Sequence, residues 1–513
     1  CYYEIQKDLL TRALEIFENH YGKDHPETGT TLTNLGTAWR ILGDFEKQKD
    51  LLTRALEIFE KCYGKDHPNT GTTLTNLGTA WGDLGDYEKQ KDLLTRALEI
   101  FEKHYGQDHP STGITLENLG NAWGSLGDYE KQKDLLTRAL EIFENHYSKD
   151  HPITGATLGD LGNAWGFLGD YEKQKDLLTR ALEIFEKCYG KDHPQTSATL
   201  GNLGNAWGFL GDYKKKKDLL TRALEIIEKH IGKNHPSTGA ILNSLGNAWG
   251  SLGDFEKQKD LLTRALELFE KHYGQDHPET GVTLTYLGTA WGDLGDYEKQ
   301  KDLSTQALEI FEKHYGQDHP STGITLENLG NAWGSLGDYE KKKDLLTRAL
   351  EIKEKHYGKD HPETGTTLGN LGNAFCNLVA PQQAQELLFR ALQINITSYG
   401  ENHSSSYPIL TDLGRTFLSL QDLTQAENYL LSALRITESS FGINHLNARL
   451  TLTSLGDLYF QKKEFGRALE YETRAQQICQ KHFGEDHKHT IDSASKIKRT
   501  KERFLSNEIQ IQK

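Results

Sequence analysis

One short loop, Asp-His-Pro, recurs along this chain at a fixed interval, and that interval limits the fold more than any other feature. Its histidine stands at His25, His67, His109, His151, His193, His235, His277, His319 and His361. The slot continues at His403, His445 and His487 after the proline is gone, and every step is 42 residues. A self-similar period of roughly 20–50 residues marks an array in which each unit buries its apolar face only against its neighbours. A chain of 513 residues would otherwise suggest several globular domains. An unbroken period predicts growth by stacking, with no single central core.

The unit itself divides in two. In the copy Thr73–Pro110, TLTNLGTAWGDLGDYEKQKDLLTRALEIFEKHYGQDHP, Leu74, Leu77, Trp81 and Leu84 are spaced 3, 4 and 3. That is the apolar stripe of an amphipathic helix, called helix A here and expected over residues 69–84. Gly85-Asp86 makes a turn, and helix B follows from Tyr87 to Tyr105, with Leu94, Ala97, Leu98 and Phe101 inward. Gly106 supplies a left-handed C-cap, and His104 suits the negative end of the helix dipole. The Asp108-His109 pair is placed to cap the next helix, whose first turn Pro110 pre-sets. Helix pairs are expected to start near residues 27, 69, 111, 153, 195, 237, 279, 321, 363, 405 and 447. A partial repeat (1–26, an orphan helix B) precedes them. The near-identical array covers 27–374, diverged repeats cover 375–487, and a polar capping helix and tail cover 488–513. The cations of that last helix, Lys496, Lys498, Arg499, Lys501 and Arg503, are expected to be solvated.

A higher regularity sits on the 42-residue one. Residues 109–127 match 319–337, an offset of five units, so a five-unit block is read as duplicated. After about residue 375 the helix A tryptophan gives way to Phe375, Phe417 and Tyr459.

Composition excludes several classes. A formal charge of −15 opposes nucleic-acid binding, which needs a basic face for phosphate. No apolar run approaches the ~20 residues of a membrane helix, and no signal peptide is visible. Cys1, Cys62, Cys188, Cys376 and Cys479 are odd in number and scattered, as in a reducing, cytoplasmic setting. The sequons at Asn395 and Asn402 are read as chance matches. With no methionine and a start in mid-repeat, the chain is expected to be a fragment whose partner domain lies upstream.

The pattern Leu77-Gly78, Trp81, Gly85, Tyr87 and Ala97 resembles the tetratricopeptide repeat. The 42-residue unit with its Gly-Lys-Asp-His-Pro loop is similar to the variety in kinesin light chains and nephrocystin-3-like proteins. The resemblance covers essentially the whole chain. It implies an all-α, right-handed superhelix of about 11 helix-turn-helix repeats, with an orphan helix before it and a capping helix after it. It also implies a protein-interaction scaffold whose concave groove is lined by helix A. The chain departs from the family where a small alanine is usual early in helix B. Gln48, Gln90, Gln132, Gln174, Lys216, Gln258, Gln300 and Lys342 fill that slot, and alanine returns at Ala384, Ala426 and Ala468. Curvature is expected to differ between the two regions. No kinesin-light-chain heptad coiled coil is present.

The expected groove follows from helix phase. In the first copy the face opposite Leu32 and Leu35 carries Thr33, Thr37, Arg40 and Ile41, with Asn34 on its flank. Helix B and the loop barely change between copies, whereas these slots do, as in a scaffold with a tunable inner wall. By resemblance to kinesin light chains, the asparagines at Asn34, Asn76, Asn118, Asn202, Asn328 and Asn370 hold peptide backbone. The Thr37 slot becomes Asn121, Asn163, Asn205, Asn247, Asn331 and Asn373. The Thr33 slot adds Thr75, Glu117 and Glu327, and Phe167 and Phe209 are candidate apolar anchors. The Arg40 slot is Gly82 in the second copy and glycine through Gly334. It is read as a bare backbone strip for a ligand, or as close packing between neighbouring repeats. Glu117, Glu327, Asp83 and Asp293 outweigh the groove cations Arg40 and Arg415, so a neutral or basic extended peptide is the expected ligand.

Catalytic motifs are missing. There is no phosphate-binding glycine loop, nucleophile elbow or His-Glu-x-x-His, and the Asp-His pairs recur with no nucleophile beside them. His104 and His109 lack a third ligand for a metal. No enzyme activity and no cofactor are expected, and self-association is left open. The alternatives to a scaffold are a sensing arm of a larger signalling protein, with an NB-ARC or caspase-like effector upstream, and a kinesin-light-chain-like cargo adaptor.

Overall fold

A computed structural model describes residues 2–485 and 488–511; Cys1 and His487 lie outside the described residues. The described residues form 24 helices and no strand, paired in the expected order. In the second pair, helix A runs Pro68–Asp83 and helix B Tyr87–Tyr105. Helix A begins one residue before its expected start because the proline itself takes the first helical position. The chain divides into two compact units, Cys1–Lys191 and Asp192–Lys513. The first holds the orphan helix (Tyr2–Tyr21) and four pairs, the second seven pairs and the final helix (Lys488–Ile511).

The loop works through its histidine rather than through the Asp-His pair. His67 is extended (φ −96°, ψ 145°), and its Nδ1 accepts from the Asn69 N–H at 3.1 Å. The ring of Tyr63 stacks on it at 4.5 Å. Asp66 is drawn instead to Lys103 at the end of the following helix B. Thr70 adds a bond from its hydroxyl to the Gly64 carbonyl at 2.9 Å. At the other turn Asp86 caps helix B, accepting from the Lys89 N–H at 3.1 Å. The turn also needs Gly85 at φ 84°, a left-handed conformation that most residues resist. Where the proline is lost, His403 and His445 still accept the N–H of Ser405 and Asn447, but the helices begin later, at Ser406 and Ala448, and their N-cap residues supply no side-chain cap.

Each near-identical pair buries a small local core. Leu74, Ala97, Ile100 and Phe101 form one cluster, and Leu52, Leu77 and Ala80 form the next. Truncating a fully buried leucine such as Leu74 to Ala costs about 2–5 kcal/mol. Trp81, expected on the core stripe, is only half-buried. Its ring lies between Lys89, 3.9 Å from the centroid, and Lys49 of the preceding helix B at 5.3 Å. In the diverged repeats most buried residues between Leu368 and Ile478 join one larger cluster, with Leu410, Ala433 and Ile436 forming another.

The second unit curves far enough to touch itself. The Tyr297 hydroxyl meets His489 Nε2 at 3.2 Å, across 192 residues of sequence. Tyr213 stacks on Phe441 with centroids 6.1 Å apart. The turns after helix A at Gly211 and Gly253 face the capping rings of His403 and His445. The inner wall of its middle pairs therefore faces later helices rather than open solvent. The final helix packs Ile497 and Thr500 inward and ties Lys496 to Asp457 at 2.5 Å. Among the described residues no helix is long and apolar enough to cross a membrane.

Candidate functional site

Helix A places the expected groove residues in three distinct settings. In the first pair Asn34, Thr37 and Arg40 are exposed and Thr33 is half-buried. From the second pair on, the asparagines sink to half-buried positions: Asn76, Asn118, Asn121, Asn163, Asn202, Asn205, Asn247, Asn328, Asn331, Asn370 and Asn373. The Thr33 slot goes deeper. Thr75 and Glu327 are 9 % and 6 % exposed, so they leave the groove-lining set. The cause is helix A of the next pair, which closes over that slot. Asn243 shows the geometry, donating to the Thr283 hydroxyl at 2.9 Å.

Several groove side chains are spent on their neighbours. Arg40 Nε pairs with Asp83 at 2.7 Å. Asn121 donates to Asp160 at 2.9 Å, and Asn373 donates to both Asp412 oxygens at 2.9 and 3.0 Å. Arg415 completes that cluster with a 2.7 Å contact to Asp412. Phe167 is 48 % exposed and stacks on Tyr129 at 4.6 Å; Phe209 is 42 % exposed.

Glu117 and Glu327 occupy equivalent places in the duplicated block and meet opposite surroundings. Phe143, packed in the core beside the first, is replaced by Lys353 beside the second. The Lys353 ammonium is fully buried, 2.6 Å from Glu327 and 3.1 Å from Glu363. Burial alone would depress its pKa; the two carboxylates outweigh that and raise it. Asn370 and Thr367 also bond Glu327. Glu117 has only the Thr157 hydroxyl at 2.8 Å, and burial pushes its carboxyl up to about 7.

The glycine strip is not bare. A Cβ on Gly82 would come 2.5 Å from Gln90 Oε1, and on Gly292 2.3 Å from Gln300 Oε1. At Gly208 and Gly334 the atom met is the Cδ of Lys216 and Lys342, at 2.6 and 2.5 Å. Each glycine makes room for the long side chain on helix B of its own pair, so neither expected reading holds. The signal was present within the chain. Where helix B carries Ala384, Ala426 or Ala468, the glycine becomes Cys376, Leu418 or Phe460; the first pair departs from this, with Arg40 opposite Gln48. Lys342 donates to Asn373 Oδ1 at 2.7 Å, and burial brings its pKa down to about 8.

Four expected residues are brought together. Asn328, Asn331, Asn370 and Asn373 line a cavity of about 460 Å³ in the second unit. Its far side comes from helices A of the last two pairs (Ser406–Ser419 and Ala448–Gln461), through Tyr407 and Arg449. Asp293 and Tyr297 line it as well. Tyr407 and Arg449 escape a repeat-by-repeat reading because only the curvature of the unit carries them there. The remaining asparagines lie outside this cavity. Such a wall offers amide donors and acceptors to a peptide backbone.

Family models described as tetratricopeptide repeat match residues 40–103, 82–145, 167–229, 238–279, 292–355 and 405–481. Among curated proteins none matches the sequence. A solved Podosopora anserina protein, described as a kinesin light chain with nearly identical TPR-like repeats, is 23 % identical. It covers 40 % of this chain and 98 % of its own, with a TM-score of 0.36. BtubC (BKLC) from P. vanneervenii is 22 % identical over 45 % of this chain and 92 % of its own, with a TM-score of 0.37. A chain of the APC/C hetero-tetramer Cut9–Hcn1 is 15 % identical, covering 97 % of this chain and 93 % of its own. Its TM-score of 0.51 is a likeness of fold.

Proposed function

The chain belongs to the tetratricopeptide repeat family, and from that premise we propose that it is a protein-interaction scaffold holding an extended segment of a partner against the helix A wall. One observation carries this: the amides of Asn328, Asn331 and Asn370 converge on a single polar cavity rather than being scattered over a surface. Asn328 and Asn331 make no side-chain hydrogen bond among the described residues, so their donors and acceptors are available. An extended peptide leaves backbone N–H and C=O groups unpaired, and carboxamides satisfy both kinds. Free thiols at Cys62 and Cys188 fit a reducing, cytoplasmic setting. The scaffold acts by positioning a partner; neither a cofactor nor a catalytic step is part of this reading.

The test selects binding peptides from a random dodecapeptide library on the whole chain. It then measures them against Asn328→Ala/Asn331→Ala/Asn370→Ala. Affinity should fall at least about tenfold, two or more lost hydrogen bonds at about 1 kcal/mol each, while melting falls no further than in Asn370→Ala alone, which gives up its bond to Glu327. Equal binding by the triple variant contradicts the proposal.

A further inference from the structure

Asp293 ends helix A of the seventh pair and lines the asparagine cavity. Its counterpart five units earlier is Asp83, which is neutralised by Arg40. The residue equivalent to Arg40 is Gly250, which carries no side chain. The duplicated aspartate has thus kept its place and lost its cation. Among the described residues its carboxylate has no hydrogen bond or ion pair. Other carboxylates of the same wall are matched: Asp412 by Arg415, and Glu327 by Lys353.

The opposite side shows the complementary condition. Arg449 also lines the cavity, and its guanidinium has no carboxylate partner among the described residues. Tyr297 lines the same cavity and feels the charge of both groups.

We propose that this cavity selects a segment carrying a basic side chain, lysine or arginine, which pairs with Asp293 while the asparagine amides hold its backbone. An acidic side chain further along the same segment pairs with Arg449. The proposal rests on the scaffold reading above and specifies the chemistry of its ligand. A half-buried carboxylate without a cation is costly, and an incoming ammonium or guanidinium removes that cost. The occupant is therefore favoured over a neutral segment by a charge-assisted contact. Burial holds the Asp293 carboxyl up at about 7. The other ionisable groups lining the cavity are Tyr297, Tyr407, Asp412, Arg449 and His489, the last in contact with the Tyr297 hydroxyl. An arriving cation favours the ionised form, so affinity for a basic segment should rise between pH 6 and pH 8.

The experiment uses the full chain and four capped ten-residue peptides of alanine, serine and asparagine. One carries a central lysine, one a central glutamate, one both charges four residues apart, and one neither. Fluorescence anisotropy reads their binding to wild type, Asp293→Asn, Asp293→Ser and Arg449→Gln. Serine is a safe occupant of the slot, since Ser251 and Ser335 fill it in the flanking pairs. The expected order is both charges, then lysine alone, then glutamate alone, which can reach only Arg449, with the neutral peptide weakest. Either Asp293 variant should reduce the lysine peptide to the neutral one, a loss of about tenfold. Arg449→Gln should remove only the gain from the second charge. Equal binding of all four peptides, lost on Asn328→Ala/Asn331→Ala/Asn370→Ala, overturns the charge proposal and leaves the scaffold reading standing. Absence of binding by every peptide to the wild type overturns both.

Discussion

The Gln90 side chain fills the space beside Gly82: a Cβ there would be 2.5 Å from Gln90 Oε1 and 2.6 Å from its Cδ, so the carboxamide must move, as Gln48 does for Arg40 in the first pair. The two positions act as one. Gly82→Ala alone gains about 1 kcal/mol of helix propensity and must displace the carboxamide. Gln90→Ala alone leaves a gap. The double variant avoids both penalties. A double-mutant cycle read by urea unfolding should give a coupling of about 1–2 kcal/mol, with the double variant more stable than either single one. Additive effects would mean the contact is inert.

Glu117 makes part of the molecule's stability depend on pH in an unusual direction. Its folded value of about 7 lies above the ordinary carboxyl value near 4.3. The folded state therefore holds the proton more tightly between those values. Its contribution is fully present below about pH 4.3 and is lost as pH rises through 7. Glu117→Gln should stabilise the chain at pH 8 by about 2 kcal/mol and at pH 4 by almost nothing. Melting curves of the variant and parent at both pH values check this; an equal shift at the two contradicts it.

Lys353 presents the opposite case. Lys353→Ala strands the buried Glu327 and should cost about 3–5 kcal/mol. Lys353→Phe with Glu327→Gln restores the aromatic residue found at Phe59, Phe101 and Phe143. With Glu363→Gln added, since Lys353 also pairs with Glu363, the variant should be neutral or stabilising, because a well-packed apolar side chain replaces a desolvated ion cluster. Chemical denaturation of the two variants distinguishes them.

The repeat fixed what is local. Helix ends, the Gly106 cap and the Leu74–Ala97 core were readable because each depends on residues inside one or two units. The histidine cap was half-legible: His109 and Asp108 are both good candidates, and only geometry shows that the imidazole takes the N–H. Thr75 and Glu327 were misplaced for a different reason. Helical phase sets the direction of a side chain from its own axis, but not whether the next helix A covers it. Tyr407 and Arg449 depend on curvature summed over several pairs, which no single copy encodes.

The capping histidines predict sensitivity to acid. Nδ1 must keep its lone pair to accept the N–H at each helix A start, as at His319 with Ser321 N, 3.2 Å. Burial, with His356 nearby, holds the His319 pKa below its usual range. A lowered histidine contributes stability that is full above about pH 6.5 and fades as pH falls through the folded value. His319→Asn, which caps without titrating, should narrow the drop in melting temperature between pH 7 and pH 5. His319→Ala should lose about 1 kcal/mol at neutral pH. An unchanged pH profile in His319→Asn would mean the ring does not titrate in this window.

Photo-crosslinking tests the central claim most directly. A benzophenone side chain is placed at Asn331 inside the cavity, or at Glu309 on the exposed surface of helix B, and each chain is irradiated with a peptide selected on the wild type. Crosslinking from position 331, competed away by unlabelled peptide and absent from position 309, is the predicted result. Equal crosslinking from both positions, or from 309 alone, would place the ligand on the outer surface and contradict the account.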